Sequence, residues 1–188
     1  MVRRPPMLDA ARRGDRDALA QLWRAYQAPL LRYLRTRRAP SPDDIASQVW
    51  VDVARSIARF EGGDDDFPKW LFTIAHRRSV DAIRRMSSAS AARPALAVRS
   101  ADHARGADAD AEDLDALDRA IALLAALPDD QAEAVMLRIV NDLPTADVAA
   151  VMGISEGNVR VLVHRGLTRL RRKLSVTDAR AAAMNKVP

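Results

Sequence analysis

Between Ser155 and Leu174 the chain carries six Arg or Lys residues against one acid, Glu156. Asn158, Arg160, His164, Arg165 and Arg169 fall at helical intervals, so one helix would present them on a common outward face. A guanidinium there can reach a guanine edge with two parallel bonds or hold a phosphate. Such a helix needs a platform. Just upstream, Val148, Ala149 and Met152 form a short apolar face, and Ala149 is small enough for a second helix to pack close. Gly153 supplies a residue that tolerates positive φ at the turn, Ile154 plugs the corner, and Ser155 is a good N-cap. Val159 and Leu162 then turn inward. Residues Thr145–Lys173 therefore read as a helix-turn-helix with a basic recognition helix. The competing reading is an amphipathic hairpin with a solvated basic face. The small residue, turn glycine and inward valine in register, with the charge on the second helix, favour DNA.

The 188-residue chain suits one domain or two small ones. Good helix formers dominate and Gly and Pro are sparse, so an all-α fold is expected. The net charge of +5 suggests a polyanionic partner. With no cysteine, disulfides and thiolate zinc sites are excluded. His76, His103 and His164 show no ligand spacing, so no metal site is expected. No run approaches a membrane span, which makes the cytoplasm the simplest location. No phosphate loop, nucleophile triad or paired carboxylates point to an enzyme, a cofactor or a small-molecule substrate.

Two helical blocks are expected around a linker. In the first, residues 1–86, a helix over Asp15–Arg37 repeats Leu19, Leu22, Trp23, Tyr26, Leu30, Tyr33 and Leu34, with Pro29 as a kink or break. A second, Asp43–Phe60, is capped by Ser41 or Asp43 and lines up Ile45, Val49, Val53, Ile57 and Phe60. An acidic loop, residues 61–66, precedes a third helix over Phe67–Arg85, with Trp70, Leu71, Ile74, Ala75 and Ile83 inward and Pro68 in its first turn. Residues 87–112 read as a linker whose acidic end is either a solvated tether or a mimic of nucleic-acid charge. The second block, 113–174, holds a helix ending at Leu127, another from Pro128 to Asn141 with Val135, Met136, Ile139 and Val140 apolar, and the helix-turn-helix. The tail, 175–188, is expected to fray.

The second block resembles region 4 of bacterial RNA polymerase sigma factors, through LPDDQAEAV, GISEGNV and HRGLTRLRRKL. The first resembles region 2, through SPDDIASQVWVDVARSIARFEGG and FPKWLFTIAHRRSVDAIRR. The short length and the absence of a folded unit between them resemble the extracytoplasmic-function (ECF) group. The resemblance implies binding to core RNA polymerase and to promoter DNA, with region 2 reading and melting the −10 element and region 4 reading the −35 element. It also makes an anti-sigma protein a candidate partner.

Residue by residue, the resemblance assigns Asp44, Gln48, Val49 and Trp50 to polymerase binding. Adjacent Val49 and Trp50 cannot share the centre of one narrow stripe. One is then core and the other an interface anchor, or Trp50 widens the core. To the −10 element it assigns Lys69, Trp70, Arg77, Asp81, Arg84 and Arg85, with Asp64, Asp65, Asp66 and Phe67 as a pocket for a flipped base or, on the plainer view, a solvated loop. Trp70 reads more readily as core than as a stacking platform, and His76 as a polar helix residue. Arg160, Val161, His164 and Arg165 match the −35 readers, with Asn158, Arg169 and Arg172 holding phosphates. Three departures stand out. Pro144 replaces a usual capping Ser or Thr, leaving Thr145 or Asp142 to cap. Val161-Leu162-Val163 is unusually apolar. His76-Arg77 replaces a pair in which asparagine is frequent. An autonomous helix-turn-helix regulator is the alternative; it would require a dimer interface and a palindromic site.

Overall fold

The computed structural model describes residues 7–91 and 121–184, and every regular element among them is helical. Helix α1 (Met7–Arg12) leads into α2 (Arg16–Thr36), α3 (Pro42–Ser56), a 3₁₀ turn (Ile57–Arg59) and α4 (Phe67–Ala91). After residue 121 come a helical stretch over 121–125, α5 (Asp129–Val135), a π turn (Met136–Val140), α6 (Thr145–Met152) and α7 (Glu156–Met184).

Local chemistry starts α2: the Asp15 carboxylate accepts from the backbone of Asp17 at 2.8 Å and Ala18 at 3.1 Å. Pro29 does not divide it. The bond that proline removes belongs to the carbonyl of Ala25, and Ala25 is exposed, so water can replace the lost donor. The helix ends in a six-residue closure in which Ala39 N–H reaches back to the Leu34 carbonyl. Arg38 takes the left-handed conformation this requires, at φ 51. That is an uncommon backbone for a non-glycine residue. Ser41 precedes α3 at φ 45 and makes no side-chain cap. The expected capping role of Ser41 or Asp43 is therefore not fulfilled; Pro42 in the first turn removes one orphan donor instead.

The aromatic side chains sit in the first block and fasten α4 to α2 and to the 3₁₀ turn. Phe67 meets Tyr26 at 5.2 Å, Trp70 meets Phe60 at 4.7 Å, and Phe72 meets Tyr33 edge-on at 5.3 Å. Leu22, Leu30, Leu34, Ile45, Val49, Val53 and Leu71 fill the space between. Trp23, expected inward, is 47% exposed. Leu22 beside it takes the core-facing place, at 4% exposed.

In the second block α5 and α6 both pack on α7. Gly153 has φ 68, and Ser155 Oγ accepts from Asn158 N at 3.2 Å. The turn and cap therefore follow the expected chemistry, and Val148, Ala149 and Val159 are buried as expected. Pro144 itself occupies the cap position of α6 with no side-chain bond, so neither Thr145 nor Asp142 caps it. The expected Pro128–Asn141 helix widens at Met136, where Asn141 N–H bonds to the Met136 carbonyl at 2.9 Å. The wider turn carries Ile139 and Val140 away from the core, and both are exposed. Two expected endings also differ. Helix α4 continues past Met86 through Ala91, and α7 continues past Leu174 through Met184. Alanine-rich sequence favours helix at both places without any apolar periodicity. The expected acidic end of the linker lies outside the described residues.

The two blocks share one apolar core. Helix α4 packs against α6, and α2 against α5 and the π turn.

At Gly166 an added Cβ would lie 2.7 Å from Val135 Cγ2, where α7 crosses α5. Overpacking costs about 1–3 kcal/mol, against a helix-propensity gain of about 1 kcal/mol. Gly166→Ala is expected to lower the thermal unfolding midpoint followed by circular dichroism. A raised midpoint would show that Val135 yields.

Candidate nucleic-acid interface

Helix α7 displays the basic face expected of it. Asn158, Arg160, Val161, His164, Arg165 and Arg172 are exposed. Arg160 donates to Glu156 at 2.8 Å, one turn back, with its side chain 68% exposed. An exposed pair at this spacing contributes only about 0.3–0.5 kcal/mol, so DNA can displace it. Arg169 is the exception: it turns partly inward and donates to the Gln131 side chain, tying α7 to α5. His164, Arg165, Thr168, Arg169 and Arg172 nevertheless line one shallow depression, a geometry suited to a phosphate.

The region expected to face the −10 element is less uniform. Arg77, Asp81, Arg84 and Arg85 are exposed along α4. In the preceding loop Asp64 and Asp65 are exposed, but Asp66 Oδ2 accepts from Gly63 N at 2.8 Å and closes the loop on itself. Phe67 is 1% exposed and cannot touch a base directly. It is a core residue, because as the first residue of α4 it must fill the gap between Tyr26, Phe60 and Trp70. Trp70 is half-buried in the same cluster, matching its reading as core. Lys69 is engaged: its Nζ lies 3.0 Å from Asp147 Oδ1 on α6.

On α3, Asp44 and Gln48 are exposed and Val49 is completely buried. Val49 therefore cannot contact a partner, and its place in the polymerase-binding set is corrected to core. Trp50 is half-buried, and its indole N–H donates to Gln27 Oε1 at 2.6 Å, holding the ring at the α2–α3 boundary. Arg78 makes a two-pronged bond to Asp52, at 2.6 and 2.7 Å, which raises the Arg78 pKa and fixes α3 to α4.

One group was not picked out from sequence. Glu133 on α5 is 2% exposed, and its partners come from the first block. Tyr33 Oη donates to Oε1 at 2.6 Å, His76 Nδ1 lies 2.8 Å from the same oxygen, and Arg37 donates to Oε2. Arg37 Nε in turn donates to Ser79 Oγ at 2.9 Å. Burial first, then the charges of Arg37 and Arg77, push the His76 pKa down to about 4. A ring neutral near pH 7 places its hydrogen on Nδ1, because a carboxylate can only accept. The Tyr33 hydroxyl, wholly buried, is held protonated by desolvation. One weak signal is present in the residues: Glu133 is an acid at the head of the apolar run 134–137, and all of 131–137 are buried in the structure.

A cavity of about 770 Å³ opens between the blocks. Asp64, Asp65, Phe67 and Pro68 line one side, and residues 141–144 with Asp147 line the other. Among the described residues no group of His, Cys, Asp and Glu could hold a metal, and no helix is long and apolar enough to cross a membrane.

Comparison with known proteins supplies the context. The family profile for sigma-70 region 2 matches residues 22–88, and that for sigma-70 region 4 matches residues 117–170. The ECF RNA polymerase sigma factor SigD of Mycobacterium tuberculosis is 32% identical over 167 residues, covering 84% of this chain and 77% of that protein. The RNA polymerase sigma factor CarQ of Myxococcus xanthus is 31% identical over 179 residues, covering 93% of this chain and 99% of its own. Among solved structures, the sigma factor RpoE of Bartonella quintana, in complex with the anti-sigma factor NepR, superposes with a TM-score of 0.64 at 23% identity. The match covers 83% of this chain and 98% of that one, and it establishes a shared fold.

Reassigning Phe67 to the core has a measurable consequence. Phe67→Ala is expected to cost about 3–5 kcal/mol of stability, seen as a lower denaturant midpoint in the absence of DNA. An unchanged midpoint would return Phe67 to the DNA-contacting set.

Proposed function

The chain belongs to the ECF group of RNA polymerase sigma factors, and from that membership we propose which of its residues meet polymerase and promoter. As an alternative sigma factor it directs promoter-specific transcription initiation. In our reading, residues 1–86 form the polymerase-binding and −10 module, 87–112 the linker, 113–174 the −35 module and 175–188 a tail. It acts by binding rather than by catalysis, in the cytoplasm, and an anti-sigma protein is a candidate partner.

The observation that carries the −35 assignment is the exposed row Arg160, His164 and Arg165 on α7, behind a turn closed by Gly153. Arg160 and Arg165 read guanines. Val161, which is exposed, meets a thymine methyl. Asn158, Arg169 and Arg172 hold phosphates, with Arg169 using the donors that Gln131 leaves free. For the −10 element, Lys69, Arg77, Arg84 and Arg85 supply cationic contacts, while Asp64 and Asp65 accept from base amino groups. Asp66, Phe67 and Trp70 shape that site from within, and Asp81 borders it. Core polymerase meets Asp44, Gln48 and the exposed part of Trp50, supported by Val49. An autonomous regulator is not favoured, because both a region 2 and a region 4 profile match in order.

Two substitutions test the division of labour on α7. Arg160→Ala is expected to lose about 1–3 kcal/mol of discrimination between matched and mutated −35 sequences. Arg172→Ala is expected to weaken both equally and to reduce the salt slope of binding by about 1. Equal losses on the two sequences for both variants, measured by promoter competition with the holoenzyme, would refute the assignment.

A further inference from the structure

The two promoter-reading modules are packed together, and the contacts between them have a consistent polarity. The first block supplies cations and the second supplies acids: Arg37 to Glu133, Arg38 to Asp129 at 3.8 Å, and Lys69 to Asp147 at 3.0 Å. Arg38 also donates to the Ala125 carbonyl. The left-handed turn at Arg38 closes α2 beside this contact. Glu133 is the only member of the set whose charge is wholly removed from water, and its hydrogen-bond partners lie in the other block.

We infer that Glu133 is a latch: its carboxylate, seated among Tyr33, Arg37 and His76, holds a closed state that partly masks the −10 surface and must open before both promoter elements can be read. The inference rests on the sigma-factor reading above. Masking is visible in two places. Lys69 is already neutralised by Asp147. The acidic loop with Asp64 and Asp65 faces the cavity whose far wall is residues 141–144.

Size requires the opening. Elements named −10 and −35 lie about 25 base pairs apart, or about 85 Å at roughly 3.4 Å per pair. A folded chain of this length has a radius of gyration of about 16 Å, so the closed pair cannot touch both. The chain between Ala91 and residue 121 can reach about 100 Å when extended, which permits separation. The same physics makes the latch reversible. Desolvation offsets much of the attraction in a buried ion pair, and opening returns both charges to water. The pair selects one docking geometry without making it permanent.

The cysteine-free sequence allows a direct test. Arg38→Cys with Asp129→Cys places one thiol on each block at the rim, outside the proposed binding surfaces. Joined by a short cleavable bis-maleimide, this full-length protein is expected to lose at least about tenfold of promoter-directed initiation with core polymerase, because the competent state becomes inaccessible. Cleavage of the bridge should restore it. Undiminished initiation while bridged would overturn the latch.

Glu133→Arg, which sets like charges together, should enlarge the radius of gyration in small-angle scattering and tighten core binding by about tenfold. Adding Arg37→Glu should return the closed radius. A Glu133→Arg protein with the wild-type radius would overturn the proposal. Scattering needs no polymerase, so failure of every form to bind core would count against the sigma reading and leave the radius to decide the latch.

Discussion

A carboxylate does not enter a protein interior without compensation, and the burial of Glu133 organises much of this molecule. Its oxygens need donors, and the donors come from residues about a hundred positions away. To deliver them, α2 must end where it does, so that Arg37 clears the last turn, and α4 must run beside it, so that His76 and Ser79 face the same point. Tyr33 must surrender its hydroxyl to the interior. The apolar core shared by the two blocks is then wrapped around a polar centre. Hydrophobic contact is non-directional and would tolerate many docking angles. A fully satisfied polar cluster tolerates few.

The DNA-facing surfaces are built on a different principle. On α7 Arg160 is held only by an exposed intrahelical pair, while Arg169 is tied to Gln131 and Lys173 donates to the Ala126 carbonyl at 3.2 Å. The scaffold behind them is rigid, with Gly166 letting α5 and α7 approach until a single extra carbon would collide. Mobile charges on a fixed helix suit a duplex, since the backbone rise and groove set where contacts must fall and the side chains adapt. The −10 side inverts this arrangement. There the aromatic cluster of Tyr26, Phe60, Phe67 and Trp70 is packed in, and the charged loop above it is closed by Asp66.

Elements with a strong local signal were legible from sequence. The helix-turn-helix is one, because a glycine at positive φ, a serine cap and a small packing residue are each short-range requirements. The body of α2 is another, since Asp15 and the apolar spacing act within one turn. Helix ends at alanine-rich segments were not legible, because alanine extends a helix without leaving any periodic mark. The π turn was hidden for a related reason: Met136, Leu137, Ile139 and Val140 are all apolar around the single Arg138, so no pattern reported that Ile139 and Val140 rotate outward. Phe67 fell inside a motif that pointed to binding, yet its burial is decided by neighbours distant in sequence. Val49 stood both in such a motif and on the apolar line of its helix, and it lies in the core as that line requires. Glu133 was the hardest of all. An acid between alanines on a helix is ordinarily a solvated residue, and its partners Tyr33, Arg37 and His76 carried no sign of convergence.

The wide turn at Met136–Val140 stands between Glu133 and the helix-turn-helix, and it fixes their angular phase. Each residue advances an α-helix by about 100°. The wide turn takes up one residue more than an ordinary turn. A chain one residue shorter could close it to ordinary winding and keep that phase, whereas one further residue at ordinary winding would swing everything downstream through roughly that angle. The carboxylate could then keep its seat only if the DNA-reading helix faced elsewhere, or the helix keep its aim only if the seat were abandoned. Segment length at this point thus acts as a gear that meshes closure of the molecule with the direction in which it presents its basic face.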